Sequence, residues 1–226
     1  MFSADGFGKF GTLDTDEDWD CEARRYYFNI VGKYGMQVQS VLKKASQLEI
    51  KTICPLHGPI LREDLGHYIN KYDIWSKYET ESEGVYIACA SIHGNTLKVC
   101  EKLKEILEEK GVEKVVLADL SREDWAEAVE DSFRYGKIVF ASATYDMGIF
   151  TPMRDLLLNL KEKNYQNKKV AIIENGTWAP NAARCMKEII ATMKNIEIVE
   201  PVVTIKSTLK EENIEKLNEL AENLLK

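Results

Sequence analysis

The feature that most limits the possible folds is a regular alternation of apolar strands and amphipathic helices through residues 84–226. Predicted strands cover residues 85–90, 114–120, 138–142, 170–174 and 198–205, and predicted helices cover residues 97–110, 121–135, 152–160, 181–193 and 210–225. The strands are apolar along their whole length, which is typical of a parallel sheet covered by helices on both faces. We therefore expect an α/β domain with a doubly wound, five-stranded parallel sheet.

Residues 1–83 lack this alternation and are predicted to be mostly helical. Helical spacing of apolar residues runs through residues 22–48, with a break near 32–35, and returns at residues 65–78. A short strand is expected at residues 50–54. The polar stretch Thr-Glu-Ser-Glu-Gly at residues 80–84 marks the predicted boundary between a domain at 1–83 and a domain at 84–226.

Charge and cysteine usage exclude several classes of partner. The formal net charge of −7 argues against nucleic acid or an anionic membrane as the main partner, and no apolar run approaches the length of a membrane span. The N-terminus shows no signal-peptide pattern, and the five cysteines never fall in Cys-x-x-Cys spacing. We expect a cytoplasmic protein with reduced thiols.

A candidate phosphate-binding loop follows the first strand of the predicted sheet. It consists of Ser91, Ile92, His93, Gly94, Asn95 and Thr96. At such a strand-to-helix junction, unpaired backbone N–H groups and the helix dipole favour a bound anion. The loop contains no Lys or Arg and matches neither a Walker motif nor a dinucleotide fingerprint, so a monophosphate group is the expected ligand. An ordinary capped loop is the alternative.

Two further loops follow the third and fourth strands at the same predicted sheet edge. Their candidate ligand-binding residues are Ala143, Thr144, Tyr145, Asp146 and Gly148 in one loop and Asn175, Gly176, Thr177 and Trp178 in the other. Tyr145 and Trp178 are candidate walls for a flat heteroaromatic ring, and the glycines are expected to allow close backbone approach. Three such loops together indicate a flavin site. The alternative for Trp178 is an ordinary, partly buried packing residue.

These motifs resemble a known family. Residues 84–226 resemble a flavodoxin-like domain, and Ser-Ile-His-Gly-Asn-Thr resembles its FMN phosphate loop. The whole chain resembles the C-terminal part of the flavodiiron proteins (A-type flavoproteins). The further matches are Ser-Ala-Asp-Gly-Phe-Gly-Lys-Phe-Gly at 3–11, Pro-Leu-His-Gly-Pro-Ile at 55–60 and the aromatic helix at 72–78. The resemblance implies strand order 2-1-3-4-5, FMN as cofactor, and a remnant of a metallo-β-lactamase-like diiron domain at residues 1–83.

The resemblance also implies roles for Asp5 and His57. They stand where the family has its metal-bridging aspartate and its last metal histidine, and both are suitable iron ligands. The family's His-x-Glu-x-Asp-His motif has no counterpart in this sequence. We therefore expect Asp5 and His57 to be vestigial or completed in trans, and iron to be unlikely in this chain alone.

The function implied by the resemblance is electron transfer through FMN. The expected donor is a rubredoxin-like or other electron carrier, and the expected assembly is a homodimer or a complex with a missing N-terminal half. Two residues depart from the family: Asp146 replaces a common amide and Thr177 a common glycine. A carboxylate at position 146 would lower the reduction potential of the flavin. The alternatives are a non-catalytic remnant or assembly module, and an FMN-dependent quinone or flavin reductase.

Overall fold

The computed structural model describes residues 1–11 and 19–226 and divides them into two compact units, Met1–Glu81 and Ser82–Lys226. The division lies within the polar stretch at 80–84. Among the described residues, no helix is long and apolar enough to cross a membrane.

The first unit is mostly helical, as predicted. Its elements are β1 (Phe2–Ala4), α1 (Trp19–Tyr26), a π-helical turn (Tyr27–Val31), a 3-10 turn (Gly32–Tyr34), α2 (Gly35–Ala45), β2 (Cys54–Pro55) and α3 (Leu65–Ser76). β1 and β2 pair in parallel. The strand predicted at residues 50–54 is shorter than expected, because only Cys54 lies in β2, while Ile53 forms an isolated bridge with Leu61. Pro55 and Pro59 offer no N–H groups to extend the pairing.

A buried ionic cluster joins the last residue of the first unit to its helices. Glu81 accepts from Arg24 at 2.8 Å, from Lys71 at 2.8 Å and from the indole N–H of Trp75 at 2.6 Å. The side chains of Arg24 and Glu81 are almost fully buried. Removing one partner of such a pair leaves the other charge buried and uncompensated, so the contact holds Glu81 firmly against the helices of the first unit.

The second unit has the predicted doubly wound α/β architecture. Its elements are β3 (Ser82–Ala90), α4 (Asn95–Glu109), β4 (Val115–Asp119), α5 (Trp125–Arg134), β5 (Tyr135–Tyr145), β6 (Gly148–Ile149), α6 (Thr151–Glu162), β7 (Gln166–Asn175), α7 (Ala182–Ile190), β8 (Lys194–Ile205) and α8 (Glu211–Leu225). The strand order β4-β3-β5-β7-β8 is all parallel and equals the predicted order 2-1-3-4-5.

Burial of the central strand explains the uniformly apolar pattern. Val85 through Ala90 of β3 are all fully inaccessible, and alternate residues among them join one hydrophobic core with α4 and α8. The remaining strand residues lie on the opposite face, where α5 and α6 contact β3. A strand buried on both faces has no position for a polar side chain.

One local prediction was wrong, and one element was missed. The helix expected to open at Ser121 begins at Trp125, because carboxylates hold the preceding residues in a turn: Asp119 accepts from the Ser121 N–H, and Glu123 accepts from the Asp119 N–H. Asp124 is the helix cap and accepts from the N–H of residue 126 at 2.7 Å. The antiparallel hairpin of β5 with β6 was not predicted.

Candidate functional site

The backbone conformation of the loop after β3 is suited to binding an anion. Gly94 precedes α4 with φ of +83°, and no side chain caps the helix. A Cβ at Gly94 would meet no atom within 4 Å, so glycine is favoured there by its backbone conformation. Thr96 is buried, whereas Ile92 and His93 are exposed. The first-turn N–H groups of α4 therefore have no side-chain partner from the cap position.

Ser91 holds the most informative side chain in this loop. The residue is only 8% exposed, and its hydroxyl is buried without a hydrogen-bond partner among the described residues. An unpaired buried hydroxyl costs roughly 1–3 kcal/mol, and native proteins contain few of them. A bound anion that accepts from this hydroxyl would remove that cost, which favours an anion site over an ordinary capped loop.

The second loop is a tight two-residue hairpin. Thr144 pairs with Ile149 and Tyr145 with Gly148, while Asp146 and Met147 form the turn with φ of +47° and +59°. Both turn residues occupy the left-handed region without being glycine, which is uncommon. Gly148 has an ordinary conformation, and a Cβ there would come no closer than 3.6 Å to another atom. The expectation that Gly148 allows a close approach of a ligand to the backbone stays a prediction.

The third loop is held by side-chain bonds to the end of β8. Asn175 donates to the Ser207 carbonyl at 2.9 Å and accepts from the Ser207 N–H at 3.1 Å. A Cβ at Gly176 would lie 2.9 Å from Pro180, so glycine there also serves the packing of the loop itself. Trp178 is 95% exposed, so the alternative of a partly buried packing residue is wrong.

The nearby helix α7 differs from α4 because protein groups already satisfy its N-terminus. Thr144 Oγ1 accepts from the N–H groups of Asn181 at 3.0 Å and Ala182 at 3.2 Å. The buried carboxylate of Glu174 accepts from the Ala183 N–H at 2.9 Å. Of these two helix starts, α4 is the one that retains unpaired donors for a ligand.

The three loops meet around one cleft of about 260 Å³. It is lined by Ser91, Ile92, His93, Asn95, Thr96, Ala143, Thr144, Asn175, Gly176, Thr177 and Ser207. Gly94, Tyr145, Asp146, Gly148 and Trp178 are not part of this lining. Ser207 was missed by the sequence reasoning, although it follows the end of a fifth strand and the same strand-end rule applies to it. No Lys or Arg lines the cleft, which agrees with a site built from neutral donors.

Asp5 and His57 lie together in the first unit. Asp5 Oδ1 is 3.9 Å from His57 Nε2, and the Tyr26 hydroxyl donates to the same carboxylate oxygen at 3.3 Å. Burial, together with the Asp5 charge, raises the pKa of Tyr26. Both Asp5 and His57 are more than half exposed. Within residues 1–11 and 19–226, no group of three or more His, Cys, Asp or Glu side chains is placed to hold a metal ion.

Comparison with known proteins identifies the relatives of this chain. No family model matches it. It is 27% identical over 209 residues to the nitric oxide reductase of Moorella thermoacetica, covering 90% of this chain and 51% of that protein. Among solved structures, it matches a flavo di-iron protein variant of Thermotoga maritima with a TM-score of 0.84 and 26% identity, covering 100% of this chain and 59% of that one. The rubredoxin:oxygen oxidoreductase of Desulfovibrio gigas matches with a TM-score of 0.89 and 21% identity, over 99% and 58%.

The fold and the loops define a flavodoxin-like α/β domain preceded by a mostly helical unit. The homologues of the chain are flavodiiron proteins, and the predicted resemblance to the C-terminal part of that family is confirmed. The chain spans between half and three-fifths of the length of the curated relatives that it matches first.

Proposed function

We propose that the unit Ser82–Lys226 binds FMN and transfers electrons. The phosphate is held by the loop at residues 91–96, and the ring lies beside Tyr145 and Trp178. The observation that carries this proposal is the buried, unpaired hydroxyl of Ser91 next to an uncapped helix N-terminus. A phosphate oxygen would accept from that hydroxyl and from the first N–H groups of α4.

The exposed side chains of Tyr145 and Trp178 are suited to contact the ring of FMN. Tyr145 is about half exposed and Trp178 almost fully exposed, although large apolar rings usually pack away from water. A flavin ring would cover apolar surface on both side chains. Bound FMN supplies the one- and two-electron chemistry, while the chain's residues bind it and orient it.

The names of two relatives support a proposal for the donor and the acceptor of the electrons. The Desulfovibrio gigas neighbour is named for rubredoxin and oxygen, and the Moorella relative for nitric oxide. We infer a rubredoxin-like donor and delivery of electrons to a diiron centre of the flavodiiron type. Because the chain spans little more than half of those proteins, the complete reaction and its substrate are part of this proposal.

We further infer that the apolar face of the first unit packs against a further polypeptide segment. An apolar cleft of about 580 Å³ is lined by β1 and α2 residues, and Phe2 beside it is 93% exposed. β1 pairs with β2 on one edge only, so its other edge can accept a further strand. This proposal also includes the metallo-β-lactamase-like assignment of this unit and the completion of Asp5 and His57 in trans. It further includes dimer formation and a cytoplasmic location.

The experiment for the flavin site compares FMN with riboflavin. The purified full chain, freed of flavin, is titrated with each ligand while the fluorescence of the tryptophans and of the flavin is recorded. FMN should bind more tightly by about 3 kcal/mol or more, roughly 150-fold, because two charge-assisted hydrogen bonds to the phosphate are lost with riboflavin. Equal affinities would exclude a phosphate role for the loop at 91–96.

Iron content tests the metal proposal separately. We expect the chain alone, purified after growth with added iron, to contain almost none, because Asp5 and His57 supply only two ligands. Two irons per chain in this sample would contradict the proposal for completion in trans and would leave the flavin proposal untouched.

A further inference from the structure

The interior of the first unit contains five tyrosine and tryptophan rings in successive contact. The centroid distances are 5.0 Å for Tyr27 to Tyr72, 5.4 Å for Tyr72 to Trp75, 6.2 Å for Trp75 to Trp19 and 4.5 Å for Trp19 to Tyr68. Phenylalanine and leucine, which are common in protein cores, would lack the hydrogen bonds that Tyr72 and Trp75 make. Tyrosine and tryptophan differ from them because their rings give up one electron far more readily, so rings in contact can pass an electron along the series.

The inner end of the series lies at the Asp5 edge. Tyr72 and Asp5 line the same cleft, and the Tyr72 hydroxyl accepts from the Phe7 N–H at 2.5 Å. Burial raises the pKa of Tyr72, and the nearby Tyr26 and Asp5 raise it further. Tyr72, the second ring of the series, therefore shares a cleft with the carboxylate that Tyr26 contacts.

The middle of the series has a built-in proton acceptor. The indole N–H of Trp75 donates to Glu81 Oε2 at 2.6 Å. A tryptophan that loses an electron becomes a strong acid at this nitrogen, and a hydrogen-bonded carboxylate can take the proton at once. Glu81 keeps its bonds to Arg24 and Lys71 on the other oxygen, so it stays in place for the transfer.

The outer end of the series lies near the surface among acidic residues. Tyr68 is partly exposed, and burial followed by the charges of Asp64, Asp20 and Glu63 raises its pKa. Negative charge near a ring favours its oxidised, positive form. These charges therefore favour the oxidised form of Tyr68.

We propose that this ring series carries a one-electron oxidising equivalent from the Asp5–His57 edge to Tyr68 at the surface. An oxygen-centred radical from solution that reaches this exposed edge takes an electron from Trp75 by way of Tyr72 and becomes an anion that water protonates, and the Trp75 N–H proton passes to Glu81. Tyr68 then reduces oxidised Trp75 through Trp19 and releases its phenolic proton to water, and Glu81 returns its proton to Trp75. A thiol or ascorbate in solution reduces oxidised Tyr68 and supplies its electron and proton.

The experiment places an oxidant at the inner end without metal or flavin. A ruthenium polypyridyl label is attached to Cys54, which is partly exposed and pairs with Phe2 in the β1–β2 sheet. The other two partly exposed cysteines, Cys21 and Cys185, are replaced by serine. Light and an electron acceptor then generate the oxidant in the full chain. Radicals are followed by electron paramagnetic resonance and oxidised side chains by mass spectrometry.

Oxidation should appear at Trp19 and Tyr68 in the labelled chain and should be lost in Trp75→Phe, which removes the connecting ring. Trp125→Phe, the same exchange in α5 of the other unit, is the control and should change nothing. Trp19→Phe changes a partly exposed ring and keeps the test valid if Trp75→Phe does not fold. It should abolish the oxidation of Tyr68. Undiminished oxidation of Tyr68 in either folded variant would overturn the proposal.

Discussion

Replacing Ser91 by alanine should stabilise the flavin-free protein and weaken FMN binding at the same time. In the structure the Ser91 hydroxyl is buried and unpaired, a state that costs roughly 1–3 kcal/mol. Removing it should raise the free energy of unfolding of the flavin-free chain by about 1 kcal/mol, which raises Tm by roughly 2–4 °C for a protein of this size. Most core substitutions have the opposite sign.

The same substitution should weaken FMN binding by roughly 10- to 150-fold, because a hydrogen bond to a charged group is worth about 1.5–3 kcal/mol. Thermal unfolding of the flavin-free protein and an FMN titration measure the two effects. Ser121→Ala, at an exposed loop position in the same unit, is the matched control and should change both quantities by less than about 0.5 kcal/mol. A lower Tm together with unchanged FMN affinity would refute the assignment of the hydroxyl to the phosphate.

Three further outcomes are expected. Asp146→Asn should raise the reduction potential of bound FMN by about 10–20 mV. An exposed charge pair is worth roughly 0.5–1 kcal/mol, and 30 mV corresponds to 1.4 kcal/mol for two electrons. A redox titration that shows no upward shift would contradict this prediction. Burial raises the pKa of Asp20, but its hydrogen bonds with Lys71 and a neighbouring histidine outweigh this and lower the pKa overall. The stability from this carboxylate is therefore complete above the usual aspartate pKa and lost as the pH falls through the lowered value. Asp20→Asn should reduce stability at pH 7 by roughly 0.5–1 kcal/mol and remove that part of the acid dependence, which urea unfolding at several pH values measures. Gly94→Ala should lower the free energy of unfolding by about 1–2 kcal/mol because Gly94 has a left-handed backbone conformation. Gly66→Ala, in helix α3 with open space around the residue, should raise the free energy of unfolding by roughly 0.5–1 kcal/mol. Changes of the same sign in both variants would contradict the backbone argument.

The strand-and-helix order was predictable because it depends on long apolar patterns. The six residues of 85–90 are apolar and lie between turn signals, which leaves a strand buried on both faces as the natural reading. The hairpin at Asp146 and Met147 was not predictable from its residues, since turns of this kind normally contain glycine or asparagine. Its geometry follows from the pairing of Tyr145 with Gly148, which is visible only in three dimensions.

The site was predictable as a set of loops but not as a set of contacts. Ser91 could be placed at the strand end, yet its lack of a partner depends on the surrounding packing. From the sequence alone, Glu174 is only the last residue of a predicted apolar strand. In the structure it links α7 to β8 through the Ala183 N–H and the Thr204 hydroxyl. Contacts between residues so far apart in the chain leave no pattern in the local amino-acid sequence.

The boundary between the two units has a consequence for dissecting the protein. Glu81 makes its bonds to Arg24, Lys71 and Trp75 within the first unit. The next residue, Ser82, pairs with Tyr135 and already belongs to the sheet of the second. A single peptide bond therefore separates the two sets of interactions. A cut after Glu81 leaves every described contact of that carboxylate in one piece, so the fragment that starts at Ser82 is suited to testing the proposed FMN binding.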